Sequence, residues 1–305
     1  MNTKPVYWNR IGYISIEDDN SRMVNYGGSA DGPYGGLDFK FSGTYYGMVY
    51  PVFTVSILGL SLETINRIAV ADPKKANIRK RRIEVHAGYE KDNIARPLMT
   101  GYIYNAIPTN PPDMWLNIQC MSIANLLFRR VEKPVEIAAE DLKDLFEKGL
   151  AQAIGYEGKL KWNVEKKIPL PKKDRRDEHF TFIVDGLKVE ALQKFGEKFG
   201  VTVASVKDRI VAVDRYSQLL KPSGNVQTID LEHGLIGMND ITFAGCNINR
   251  RLDDTVGYND WIRLKSQIVG LASGDYRVTS ITHTGHLRGK EWMTTLKCLR
   301  RGVPI

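Results

Sequence analysis

Gly101-Tyr-Ile-Tyr-Asn-Ala-Ile107, a Pro-rich turn and Trp115-Leu-Asn-Ile-Gln-Cys120 decide how this chain is read. Apolar and polar residues alternate in both arms, the two-residue period of half-buried strands, so the stretch is a β-hairpin. A second hairpin has the same layout: Asp275-Tyr-Arg-Val-Thr-Ser-Ile281, a turn, then Trp292-Met-Thr-Thr-Leu-Lys-Cys298. In each, Tyr opens one strand, and Trp and Cys bound the other. The Trp-to-Cys spacing differs by one residue, which breaks strict register because side chains alternate faces. The pattern predicts an internal duplication, although two amphipathic hairpins can share a layout without one.

Working outward from the first hairpin, residues 1–120 read as β structure. Tyr13–Ile16, Leu37–Phe41, Tyr50–Leu60, Arg82–Tyr89, Leu98–Ile107 and Met114–Cys120 are strands, and Ser61–Ile68 is a short helix. Such strands with Gly/Pro punctuation predict a small barrel or sandwich. Residues 121–225 change character. A helix can start at Ser122, and Ala139–Ile154 is a better one, stopped by Gly155. Lys159–Arg176 reads as a basic, Pro-punctuated linker. His179–Val184, Leu187–Phe199, Val201–Val206 and Ile210–Val213 make a β-α-β-β unit. Residues 226–305 return to β, with strands expected at Asp240–Gly245, Trp261–Lys265, Tyr276–Thr282 and Trp292–Leu299. The expected fold is mainly β with an α/β insert, divided at 1–120, 121–225 and 226–305.

The 305 residues are 43% hydrophobic and 26% charged, which excludes a disordered chain. No apolar run approaches the roughly 20 residues of a membrane helix, and the start Met1-Asn-Thr-Lys-Pro is no secretory signal. Cys120, Cys246 and Cys298 are odd in number, distant and without paired spacing, so they read as buried free thiols. The net charge of +8 suits an acidic partner, but it is spread along the chain rather than gathered in a tail.

Residues that could carry chemistry are few. His283-Thr-Gly-His286 with Cys298 is the nearest approach to a metal site, but a fourth ligand is missing and the stretch reads as a polar hairpin loop. No nucleophile elbow or phosphate loop is present. Glu140-Asp141 reads as a helix N-terminal pair favoured by the dipole. The basic runs Lys74-Lys75, Arg79–Arg82, Lys166-Lys167 and Lys172–Arg176 lack interleaved aromatics, so a single-strand nucleic-acid platform is disfavoured. No catalytic, metal or cofactor residue is assigned, and binding residues stay unassigned.

Three stretches carry a family resemblance: Val52–Leu60 running into Ile83–Tyr89, Leu98–Ile103 before Trp115–Cys120, and Gly274–Trp292. With the domain order, the chain resembles the baseplate hub (tail-tip hub) proteins of contractile-tailed bacteriophages, which share their fold with the base of type VI secretion spikes. The resemblance implies two tail-tube-like β-barrel domains flanking small α/β domains, and a non-enzymatic structural role. It implies a homotrimer presenting six similar barrels in a ring, between a sixfold tail tube and a threefold central spike. The implied partners are the tube protein, the spike protein and surrounding baseplate proteins. Genomic DNA would pass through the lumen without specific binding, and no membrane insertion is implied. The implied location is the virion tail baseplate, after assembly in the host cytoplasm. The basic runs are then expected to face outward, and the 177–215 insert to be a docking domain. Competing readings are a tube or tube-initiator subunit with one barrel, a nucleic-acid-binding protein and a cell-wall hydrolase.

Overall fold

The computed structural model describes residues 9–28, 35–45, 52–69, 81–91, 94, 96–121, 129–169, 180–206, 209–217, 222, 226–267 and 270–303. A single 13-stranded sheet dominates it. From the amino end come β1 (Arg10–Glu17), β2 (Met23–Tyr26), β3 (Asp38–Tyr45), β4 (Val52–Leu58), β5 (Arg82–Tyr89), β6 (Met99–Pro108) and β7 (Trp115–Met121). From the carboxyl end come β13 (Gln227–Ile229), β14 (Leu235–Asn239), β15 (Gly245–Arg251), β16 (Trp261–Leu264), β17 (Gly274–His286) and β18 (Trp292–Arg300). The main path runs β14-β15-β18-β17-β3-β4-β7-β6-β5-β1-β2, with β16 and β13 branching from the start of β17. Every ladder of this sheet is antiparallel except β13 with β16. Among the described residues the path is open at β14 and β2.

Alternation fixes which face is buried. In β7, Leu116, Ile118 and Cys120 are buried while Asn117 and Gln119 are exposed. The first core gathers Phe39, Phe53, Val55, Ile83, Val85 and Ile118 under α1 (Leu62–Ile68). Ser61 caps α1, its Oγ accepting from the Thr64 amide at 3.2 Å. Ile65 and Ile68 turn inward as the spacing predicts, but Leu62 is exposed. Leu252 and Trp292, from the far end of the chain, belong to this first core. A second core, around Ile248, Ile262, Tyr276, Val278 and Leu296, lies under the carboxyl-terminal strands.

Between them sits a separate α/β body. β8 (Val135–Ala139) pairs with β10 (Phe180–Val184), and β9 (Leu160–Asn163), β12 (Arg209–Asp214) and β11 (Val201–Val206) form a second small sheet. Helix α2 runs from an α turn at Leu142–Asp144 through a π-helical stretch at Leu145–Leu150 to Ala151–Ile154. Asp141 caps it, accepting from the Asp144 amide at 2.7 Å. Gly149 lies at the π stretch because a Cβ there would come within 2.2 Å of Ile137 Cγ2. Helix α3 (Lys188–Phe199) ends at Gly200, φ 65°. Phe146, Phe182, Phe195 and Phe199 pack together between helices and strands.

Several expectations change. The stretch read as a linker contains β9, where Leu160 is buried beside the exposed Lys161 and the Trp162 amide donates to Glu147 Oε1 at 2.8 Å. Asp240–Gly245 is a tight turn rather than a strand. Asp240 takes φ 51°, and the Thr242 amide and hydroxyl both bond the Gly245 carbonyl. The strands lie on either side of it, as β14 and β15. His283–His286 is not a loop but the end of β17, with the turn beginning at Leu287. The helix expected at Ser122 lies outside the described residues. β2, β8 and β13 were not anticipated. They are short, and too few residues alternate to reveal them.

Candidate assembly site: two equivalent β units and the junction between them

The two β regions are copies of one unit. In sheet order, β3-β4-β7-β6-β5 answers to β14-β15-β18-β17-β16, and chain order matches as well. The copies agree residue by residue. Cys120 opposes Phe53 and Ile103, as Cys298 opposes Cys246 and Val278. Immediately beyond, a bulge leaves Tyr104 unpaired in β6 and Thr279 unpaired in β17. The Ile103 amide donates to the Arg81 carbonyl at 2.9 Å, and the Val278 amide to the Asp260 carbonyl at 3.0 Å. Arg82–Val85 then pair with Tyr102–Met99 as Trp261–Leu264 pair with Arg277–Gly274. A shared bulge in shared register is far more specific than two similar hairpins. The equivalent residues are the cysteines. Trp115 answers to Met293, and Trp292 falls one residue outside, which accounts for the spacing mismatch. Trp115 therefore lies on the opposite face from Trp292, whose ring packs on Phe39 and Phe41 in the first core.

The copies join edge to edge. Ile281–His286 of β17 pair with Tyr45–Lys40 of β3, and the Thr44 and Thr282 hydroxyls meet at 2.9 Å. His286 Nε2 lies 2.9 Å from Asp38 Oδ2. Arg10 stacks over the Trp292 ring, and its guanidinium donates to the carbonyls of His286, Gly289 and Lys290. The Trp292 indole donates to the Gly88 carbonyl at 3.1 Å. Burial pushes the Tyr45 hydroxyl well above the ordinary tyrosine range, beside the edge of His283.

The α/β body is seated on the second copy through Arg277. This buried guanidinium stacks on Trp261, donates from Nε to Asn259 Oδ1 at 2.9 Å and pairs from Nη2 with Glu165 Oε1 at 3.0 Å. Asp214 accepts from the amides of Glu165 and Lys166 and so holds that segment in place. Tyr258 packs with Ala204, Val211 and Val213 in a small satellite core.

The face of the sheet away from the cores is polar and sparsely charged from β14 to β6. Ser42, Thr54, Gln119 and Asn105 follow one another across β3, β4, β7 and β6, as do Thr295, Thr282 and Thr44 across β18, β17 and β3. Neighbours bond sideways: Ser56 to Asn117 at 2.7 Å, Thr295 to Asn249 at 2.9 Å and Asn105 to Gln119 at 3.1 Å. Lys40 lies over the Trp115 ring, and Arg251 pairs with Asp253.

The expected features fall as follows. Arg81 pairs with Asp19, and Arg82 with Glu84 at 2.6 Å. Lys166 and Lys167 are exposed. Lys74-Lys75, Arg79-Lys80 and Lys172–Arg176 lie outside the described residues. Cys120, Cys246 and Cys298 are buried and free, and burial raises all three thiols. Among the described residues no group of His, Cys, Asp and Glu could hold a metal ion, and no helix is long and apolar enough to cross a membrane. Sequence reading missed Arg10 and Arg277, whose partners lie 276 and 112 residues away.

A fold of this kind is found in phage tail and type VI secretion proteins. The tail protein from Neisseria meningitidis MC58 superposes with a TM-score of 0.59 at 10% identity, over 97% of this chain and 98% of that one. The 43 kDa tail protein of prophage MuSo2 from Shewanella oneidensis gives 0.58 at 11% identity, over 95% and 98%. The E. coli c3393 protein, a component of the type VI secretion system, gives 0.55 at 10%, over 89% and 75%. No curated protein matches the sequence. The chain belongs to the baseplate hub gp41 family, whose model matches residues 54–298. It is a hub-like structural protein of the phage tail baseplate.

Proposed function

We propose that this chain is the ring-forming hub that adapts a sixfold tail tube to a threefold central spike. The observation that carries the reading is the duplication in register. Three chains with two equivalent units each present six similar edges to a sixfold neighbour while keeping only threefold identity toward the spike. Each unit serves as one tail-tube-like β-barrel domain, within 1–120 and 226–305, and the α/β body within 121–225 contacts surrounding baseplate proteins. The sparsely charged face, rich in hydroxyls and amides, lines the lumen. Phosphates gain little there, so DNA passes without specific binding. The ring assembles in the host cytoplasm and resides in the virion baseplate. A tube or tube-initiator subunit needs one unit per chain, and two units disfavour it. The role is structural, without catalysis.

Light scattering after size exclusion, across a concentration series, tests the reading. The expected mass is three times 34.5 kDa. A hexamer would point to a tube subunit instead. A monomer at every concentration, with purified spike and tube proteins added, would overturn the hub.

A further inference from the structure

The α/β body carries a cleft of about 1080 Å³ between β8 and helix α2. Every residue from Val135 to Ala139 lines it. Successive strand residues point to opposite faces, so all of them line one cleft only if it follows the edge of the strand. That edge is bare, because among the described residues β8 pairs with β10 alone. The chain before β8 extends the same line, since the Val131 amide donates to the Gly186 carbonyl at 2.9 Å and the Lys188 amide to the Arg129 carbonyl at 3.1 Å. The opposite wall is the helix, from Asp144 to Ala153. Gly149 sets that helix directly against Ile137, so it covers the core face of β8 and leaves the edge open. Part of this wall is the π-helical stretch, a form rare in soluble proteins and frequent at functional sites.

Charge is sorted along the cleft. At the end before β8, Arg129, Arg130, Lys133 and Lys188 outnumber one acid, Glu132. The end of the helix closes there, with Gly155 beside Lys188. At the other end Glu136, Glu140 and Asp144 outnumber one base, Lys148, which is itself paired with Asp144 at 3.0 Å. Small-molecule sites are predominantly apolar with a few polar groups, and a cleft charged at both ends along a strand edge does not match them. An extended peptide does, because a bare edge offers main-chain bonds for affinity while flanking side chains select the sequence. We infer that the free edge of β8 receives an extended segment of a surrounding baseplate protein as a third strand, which rests on the docking role proposed for this body. The segment carries acidic side chains toward Arg129 and Arg130 and basic side chains toward Glu140 and Asp144, since opposite charges fix register and exclude wrong partners.

The test is amide hydrogen exchange on the full chain, alone and with each purified baseplate protein of the same virion. Alone, the outward amides of Val135–Ala139 should exchange fast, because an unpaired edge leaves them to water. Protection there would mean that this chain or a second copy already fills the cleft, and would overturn the inference. With the partner, exchange over Val135–Ala139 should slow by about tenfold or more. Gln152→Trp places a large ring in the cleft from an exposed helix position, and Arg130→Glu reverses an exposed charge at its basic end. Each should weaken partner binding by about tenfold, with the melting curve of the chain unchanged. Arg130→Lys keeps the charge and should bind as the native chain does. A baseplate protein that protects the α/β body elsewhere and ignores Gln152→Trp overturns the strand addition and leaves the docking role standing. If no baseplate protein slows exchange anywhere in this body, the docking role itself falls, and the inference with it.

Discussion

Ile57 in the first copy and Arg250 in the second occupy the same lattice point, and they show how far the two units diverge beneath one backbone. Ile57 is fully buried in an aliphatic core. Arg250 is as deeply buried, with Nη2 2.7 Å from Asp253 Oδ2, and desolvation lowers its pKa. Its neighbour across the ladder is Thr294, where the first copy has Leu116. A second exchange is reciprocal. The first copy places Phe53 on β4 against Gly101 on β6, where a Cβ would come within 2.7 Å of the ring. The second copy places Cys246 on β15 and Tyr276 on β17, and burial pushes the Tyr276 hydroxyl up to about 12. One aromatic ring fills each site, delivered from opposite strands. Register is kept because a one-residue slip would turn every core side chain outward. Side-chain identity is free to drift as long as the total volume is kept.

The largest effect should come from breaking the ion pair that only the second copy has. Asp253→Ala leaves a buried guanidinium without its carboxylate and should cost about 3–5 kcal/mol, read as a lowered denaturant midpoint. Arg250→Ile with Asp253→Asn imitates the first copy and should cost clearly less. If the two variants are equally unstable, the ion pair is not what distinguishes the copies.

The reciprocal filling predicts a smaller effect. Gly101→Ala pushes a methyl toward the Phe53 ring and the Met121 carbonyl, 2.4 Å away, and should cost about 1–3 kcal/mol. Phe53→Cys in the same chain removes the ring and should restore part of that loss in thermal melts. Additive losses would mean that the two positions do not share one volume.

The smallest effect concerns surface charge. Glu84 and Arg263 are counterparts of opposite sign. Glu84 accepts from His86 at 3.2 Å, which with Arg82 holds its carboxyl below the ordinary 4.5. A lowered folded value means that the stabilisation is present above the unfolded pKa and is lost as pH falls through the folded one. Glu84→Gln should therefore cost about 1 kcal/mol at neutral pH, after allowance for its partial exposure, and nothing in strong acid. Arg263→Ala, in an exposed pair with Asp275, should leave the melting curve unchanged. A pH-independent loss in Glu84→Gln would assign the effect to packing.

Much of this was legible along the chain. Period-two alternation marked β5, β6, β7, β16, β17 and β18, because a sheet with one buried face must alternate. The Gly stops at 155 and 200 marked helix ends, because only a left-handed residue satisfies the last carbonyls cheaply. The two hairpins announced the duplication. Asp240–Gly245 misled because a β-branched, aromatic run looks like a strand until a left-handed residue and a side-chain bond turn it.

Local pattern, then, determined the strands, the cysteine burial and the repeat, since each depends on neighbours within a few residues. Only the tertiary structure decided that the copies share one sheet, that cysteine rather than tryptophan marks equivalence, and that Arg10, Asp38, His286 and Trp292 hold the junction. Those outcomes depend on which strand lies beside which, and strand pairing across hundreds of residues is set by the global packing of buried faces, on which no local window reports.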